Sequence, residues 1–262
     1  MASVTTTSLA EMKSRGEKIT MVTGYDYPFA RLLDQAGIDI ILVGDSVGVV
    51  VAGYKDTLPV TVEEMIYHGR AAVRGSERAL VIIDLPFMSY QVSIADAKLQ
   101  AGRIMKETGA GAVKLEGGTS MAETIRALVE IGIPVCGHIG LTPQAVNQLG
   151  GFKVQRETER LLADARAVAE AGAFALVIEC VPAEIAAEIT RAVTIPTIGI
   201  GAGADCDGQV LVLHDMLGLF DRFRPSFVKQ YADLGLLARK ALEEYSREVK
   251  AGEFPGPEHS FK

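Results

Sequence analysis

Short apolar runs alternate with longer amphipathic stretches along the whole chain. The short runs are 19–23, 38–43, 79–83, 112–115, 133–136, 175–178, 197–200 and 209–213. Each is apolar on successive residues and most are rich in Val and Ile. A strand buried on both faces reads this way, as in a parallel sheet covered by helices. Eight runs in 262 residues recur about every 33 positions, the length of one βα unit. The pattern therefore predicts an α/β chain, a TIM (β/α)8 barrel. The rival is an open doubly wound sheet, which in its nucleotide-binding form carries a Gly-rich turn after the first strand. Here that turn is Thr23-Gly-Tyr-Asp-Tyr-Pro28, without such a fingerprint.

The intervening stretches have helical signals. Thr61/Glu64, Ser93/Asp96 and Ser120/Glu123 each place a hydroxyl three residues before an acid, the spacing of a capping box. Gly37, Gly75, Gly109, Gly132 and Gly172 stand where helices should end in a left-handed cap. A short helical leader is expected over 1–18. A last long helix is expected over 227–250, with Leu234, Leu237, Leu242 and Tyr245 along it, then an irregular tail over 251–262. No linker interrupts the pattern, so 1–262 reads as one domain.

Composition narrows the function. The charge balance is 26 Lys+Arg against 33 Asp+Glu, a net −7. This argues against nucleic acid, which needs a basic face, but not against a small anion held by local cations. No apolar run reaches the ~18 residues of a membrane span, and the N-terminus does not read as a secretory signal. Cys136, Cys180 and Cys206 are odd in number and form no CxxC or zinc pattern, as expected of reduced thiols in a cytoplasmic protein.

Charged residues concentrate where the apolar runs end. The second run leads into Asp45-Ser46 and the third into Asp84. The fourth holds Lys114 with Glu116 just beyond, the fifth leads to His138, and the sixth into Glu179. In a barrel these ends share the catalytic face. A charge there needs water, a partner or a metal. Asp45 and Asp84, on adjacent strands without His or Cys beside them, suit a hard cation such as Mg²⁺, with Glu116 binding directly or through water. The alternative is that these acids cap helices or pair with Arg and Lys at the barrel mouth. Lys114 suits a substrate carboxylate or, as a sharper alternative, a Schiff base; the neighbouring acids argue for a charged ammonium. Glu179, after an apolar run, suits a general base, and His138 an anion contact or proton shuttle. The Gly199–Gly203 stretch is similar to a phosphate-gripping loop. The stretch 139–152 is long for a βα loop and reads as a lid.

Several strings carry a resemblance: Val43-Gly-Asp45-Ser46, Asp84-Leu-Pro-Phe-Met88, Val113-Lys-Leu-Glu-Gly-Gly118, Gly137-His-Ile-Gly-Leu-Thr-Pro-Gln144, Ile178-Glu-Cys-Val-Pro182 and Ile198-Gly-Ile-Gly-Ala-Gly203. Together, and in this order, they resemble the ketopantoate hydroxymethyltransferase family over about residues 19–233. The resemblance implies hydroxymethyl transfer from 5,10-methylenetetrahydrofolate to 3-methyl-2-oxobutanoate, giving 2-dehydropantoate on the route to pantothenate and coenzyme A. It implies one Mg²⁺ per subunit and a homo-oligomer, typically a decamer. It assigns metal and substrate contacts to Asp45 and Asp84, metal support to Glu116, substrate contacts to Ser46, Lys114 and His138, and C3 proton removal to Glu179. The runner-up is a Mg²⁺-dependent 2-oxo acid lyase or mutase of the phosphoenolpyruvate mutase/isocitrate lyase type. A catalytically dead scaffold is a third reading, made unattractive by the retained acids and Lys114.

Overall fold

Eight strands form where the apolar runs fall: β1 (Ile19–Thr23), β2 (Ile40–Val43), β3 (Leu80–Asp84), β4 (Ala112–Lys114), β5 (Val135–Gly140), β6 (Ala175–Glu179), β7 (Thr197–Ile200) and β8 (Gly208–Leu211). In the computed structural model, which describes residues 3–261, every neighbouring pair is parallel and β8 returns to β1. The sheet is a closed barrel. Closure leaves no free strand edge, and apolar side chains fill its interior. The described residues fall into two compact units that meet in the chain between Val212 and Leu213.

The barrel interior takes alternate residues of each strand, as a period of two requires. Met21, Ile40, Leu42, Ile82, Ala112, Cys136, Val177, Ile198 and Val210 form one buried cluster. Leu9 joins it from the leader helix Thr6–Arg15 and is fully buried. That helix is tied down at the strand starts, where Lys13 Nζ reaches the carbonyls of Thr190, Val193 and Ile195 and the carboxylate of Asp207. The leader therefore stops the N-terminal end of the barrel.

The helix Val62–Gly75 opens on the expected Thr61/Glu64 capping box, and Ser93 caps the helix Ile94–Thr108 by accepting from Asp96 N. Four sequence expectations change. Ser120 does not cap: the turn Thr119–Met121 is 3-10, the helix Ala122–Glu130 follows it, and the nearby hydrogen bonds come from Thr119 N and Oγ1 to Asp164 Oδ1, each 2.8 Å. Gly75 ends its helix without a left-handed turn; a Cβ there would sit 2.7 Å from the Tyr27 carbonyl, so close packing is its reason. The seventh repeat lacks a helix, since residues 201–207 cross from β7 to β8 as irregular chain. No helix N-terminus then follows Gly199–Gly203, which removes the basis of the phosphate-gripping reading. The last helix is Leu234–Ala251 rather than 227–250. Asp233 caps it, while Tyr231 N and Leu234 N bond back to Met216 O and Leu217 O instead of starting a helix earlier.

The second unit holds that helix, the short helix Leu213–Met216 carrying His214 and Asp215, and a tail with a 3-10 turn at Pro257–His259. Among the described residues no helix is long and apolar enough to cross a membrane.

Candidate functional site

The interior parity that packs the barrel also aims its chemistry. Asp84 and Lys114 are register partners on β3 and β4, and both continue the inward-facing rows of their strands. His138 continues the row of Cys136 on β5, and Glu179 that of Val177 on β6. At the C-terminal ends of the strands the interior row changes from aliphatic to charged, and a packed core becomes a site.

Asp45, Asp84, Lys114, Glu116 and His138 are all buried, at 3–6% exposure. Asp45 follows β2, and its N–H donates to Asp84 Oδ2 at 3.1 Å. Lys114 Nζ pairs with Asp84 Oδ1 at 3.0 Å and lies 3.4 Å from His138 Nδ1. The same ring nitrogen is 3.5 Å from Glu116 Oε1, and the other, Nε2, is 3.2 Å from Glu179 Oε2. Ser46 turns its hydroxyl to Tyr25, 2.8 Å away. The structure thus brings all seven residues singled out in the sequence to the barrel mouth.

Backbone geometry fixes the Glu179 corner. Gly140, at φ +95°, packs so closely on β6 that a Cβ would lie 2.2 Å from the Glu179 carbonyl oxygen. Only glycine meets both demands. Leu141 N donates to that same carbonyl at 2.8 Å. Cys180, immediately after Glu179, is one of two non-glycine residues with positive φ among those described, at +50°. Left-handed backbone without glycine concentrates at functional sites.

The electrostatics follow from burial and crowding. Burial pushes Asp45 well up, and the charges of Asp84 and Glu116 push it further. Burial also raises Asp84, against the pull of Lys114. Lys114 is the reverse: burial alone would lower it, but the three acids outweigh burial and hold it above its usual value. His138 is pushed up to about 9, because Glu116 and Glu179 overcome burial and the nearby Lys114 charge. Glu116 is lowered despite its burial, chiefly by His138. An imidazolium and an ammonium therefore lie side by side among acids. The Schiff-base alternative for Lys114 loses ground, because an amine held protonated is no nucleophile. Burial pushes Cys136 and Cys180 up to about 12, so neither carries a thiolate at neutral pH.

Two residues were missed in the sequence as site members. Gln144, from the 3-10 turn Pro143–Ala145, is buried and donates through Nε2 to Asp45 Oδ2 at 2.9 Å. Tyr90 is buried and donates to Gln144 Oε1 at 2.7 Å. Gln144 lay inside a quoted string, but a neutral amide in a loop gave no charge signal. Tyr90 follows no strand directly and gave none at all. The stretch 139–152 holds the end of β5, this turn and the short helix Val146–Leu149.

A divalent cation fits the donor set. Asp45 Oδ2 is held by Gln144, while no hydrogen bond or ion pair within the described structure reaches Asp45 Oδ1. Both acids are raised by burial, and Asp45 further by the Asp84 charge, so added positive charge beside them favours their ionised forms. Among the described residues no three His, Cys, Asp or Glu side chains form a ready metal cage.

The model of the family described as ketopantoate hydroxymethyltransferase matches residues 3–257. The chain is 62% identical over 263 residues to the 3-methyl-2-oxobutanoate hydroxymethyltransferase of Moorella thermoacetica, covering 99% of this chain and 98% of that protein. The enzyme of the same name from Syntrophotalea carbinolica is 59% identical over 261 residues, covering 98% of each. Among solved structures, 2,3-dimethylmalate lyase, of the PEP mutase/isocitrate lyase superfamily, superposes with TM-score 0.63 at 20% identity, covering 96% of this chain and 89% of that one. Phosphonopyruvate hydrolase in complex with oxalate and Mg²⁺ gives 0.63 at 13%, covering 98% and 93%. At those identities the likeness is one of fold.

Proposed function

Because the chain belongs to the ketopantoate hydroxymethyltransferase family and is an enzyme that forms ketopantoate from 3-methyl-2-oxobutanoate, we propose that it does so through proton removal at C3 by Glu179. The observation that carries this reading is the pairing of Asp45 and Asp84 beside Lys114, with Glu179 one imidazole away.

Asp45 and Asp84 would hold Mg²⁺, with Glu116 supporting it. When bound, the cation supplies positive charge to the keto and carboxylate oxygens of the 2-oxo acid and so favours the enolate. Lys114 and His138 provide fixed positive charge for the substrate carboxylate, and Ser46 a hydroxyl. Both cations are buried and already positioned, so they need no reorganisation as charge develops. Glu179 is the least buried of the charged residues, its side chain 16% exposed, on the open side of the cluster. It takes the C3 proton, and C3 then bonds to the methylene carbon of 5,10-methylenetetrahydrofolate. Both carbon–nitrogen bonds of that methylene bridge break; one water supplies the hydroxyl oxygen, and its two protons, with the one held by Glu179, end on N5, N10 and the new hydroxyl. His138 Nε2, 3.2 Å from Glu179 Oε2, fixes where that carboxylate sits beside the substrate.

The lyase or mutase reading rests on a shared fold at 13–20% identity, whereas relatives 58–62% identical are named as hydroxymethyltransferases. Three further features belong to this proposal: a cytoplasmic setting, Mg²⁺ as the metal, and a decameric assembly. The test is exchange of the C3 proton of 3-methyl-2-oxobutanoate with deuterated water, followed by NMR, with Mg²⁺ and without folate. Exchange is expected. A folded, Mg²⁺-loaded sample that shows none overturns the mechanism.

A further inference from the structure

The Gln144 side chain has every hydrogen-bonding position filled. Its Nε2 donates to Asp45 Oδ2 at 2.9 Å and to the Leu85 carbonyl at 3.0 Å. Its Oε1 accepts from Tyr90 Oη at 2.7 Å and from Gln91 Nε2 at 3.0 Å. Its backbone N–H donates to Glu116 Oε2 at 3.0 Å. The amide has one orientation only. A carbonyl such as Leu85 O can never donate, so a flipped amide would set its oxygen against two acceptors.

This arrangement has two consequences for Asp45. One carboxylate oxygen is committed to Gln144, which leaves Oδ1 for a ligand. The amide N–H also favours the ionised carboxylate. The donor comes from 99 residues away, on the turn that follows β5. Tyr90 supports it from the loop after β3 and receives the Glu116 N–H at 3.1 Å. Three loops of the barrel mouth therefore meet on one amide.

We propose that Gln144 is a positioning residue for the metal end of the site: it holds Asp45 with one oxygen presented, and ties the turn after β5 to Asp45 and Glu116 together. The inference rests on the proposed role of Asp45 in holding Mg²⁺. It extends that role to a neutral residue that touches neither substrate nor cation. Met at this position keeps the volume and an unbranched stem but removes both donors.

The experiment is calorimetric titration of the full chain with Mg²⁺ alone, comparing wild type with Gln144→Met, and then C3 proton exchange across a range of Mg²⁺. The variant should bind Mg²⁺ roughly 10- to 100-fold more weakly, the usual cost of losing an outer-shell partner. Its exchange kcat should return close to wild type once Mg²⁺ is saturating. A residue of merely structural importance would instead lower kcat at every Mg²⁺ concentration, and that result overturns the proposal. Equal Mg²⁺ affinity in the two proteins overturns it as well and leaves the metal reading intact. A wild type that binds no Mg²⁺ removes the metal reading and this inference with it. If Gln144→Met does not fold, Tyr90→Phe takes its place, removing a single hydroxyl from Oε1. It should weaken Mg²⁺ binding in the same direction by a smaller factor, and unchanged affinity there overturns the assignment.

Discussion

Lys114 Nζ lies 3.0 Å from Asp84 Oδ1, and the two residues are register partners on neighbouring strands with both side chains buried. The pair leaves Lys114 charged, since the acids around it outweigh the effect of burial. Sodium borohydride added with 3-methyl-2-oxobutanoate should therefore trap no adduct, and the intact mass should stay unchanged. Lys114→Met leaves a buried carboxylate without its partner. A loss of about 3–5 kcal/mol is expected in urea unfolding, the usual cost of breaking one side of a buried pair.

Asp84 faces both Lys114 and the Asp45 N–H. Asp84→Asn keeps the shape and one acceptor but removes a negative charge. Mg²⁺-dependent binding of 3-methyl-2-oxobutanoate, followed by equilibrium dialysis, should weaken by at least about tenfold. An unchanged Mg²⁺ dependence would take Asp84 out of the metal site.

Glu179 Oε2 lies 3.2 Å from His138 Nε2 as an ion pair, and no hydrogen bond among the described residues joins Glu179 to either aspartate. Glu179→Gln should keep Mg²⁺-dependent substrate binding. C3 proton exchange should fall by about 10²- to 10⁴-fold, the span of general-base contributions. Normal exchange in the variant would reassign the base.

His138 is pushed up to about 9 by Glu116 and Glu179. A histidine raised on folding contributes stability that is fully present below its ordinary value near 6.5 and lost as pH rises through 9. Urea midpoints of the metal-free protein should thus decline between about pH 6.5 and 9. His138→Gln should flatten that part of the profile.

Asp215, in the short helix Leu213–Met216, is pushed up to about 6 by burial alone. A carboxyl raised on folding favours the protonated native state, so stability falls as pH rises from about 4 to 6 and then levels off. Asp215→Asn removes that penalty. Its unfolding midpoint should exceed wild type at pH 8, with the gain shrinking toward pH 4.

The strands were legible because a sheet buried on both faces leaves an unmistakable apolar run. β1 and β7 coincide with theirs, and the others shift by a few residues. The charged site residues were legible for the converse reason: a charge at the end of an apolar run has no packing explanation. The helix limits were less so. Ser120 has the spacing of a cap, but the chain there enters a 3-10 turn whose bonds run to Asp164, 45 residues away. No local pattern records a partner at that distance. The helix-free return from β7 to β8 was equally hidden, because a count of strands does not say what connects them.

By itself the sequence determined that Asp45, Asp84, Lys114, His138 and Glu179 stand at the ends of successive apolar runs, because run limits are a local property, and so that in a barrel they share one rim. The tertiary structure decided which of them touch. The pairing of Lys114 with Asp84, the imidazole of His138 between Glu116 and Glu179, and the amide of Gln144 on Asp45 depend on barrel closure and on strand register. Those bring together side chains 22 to 99 residues apart. Distances of that kind follow from the packing of the whole barrel, which no window of sequence contains.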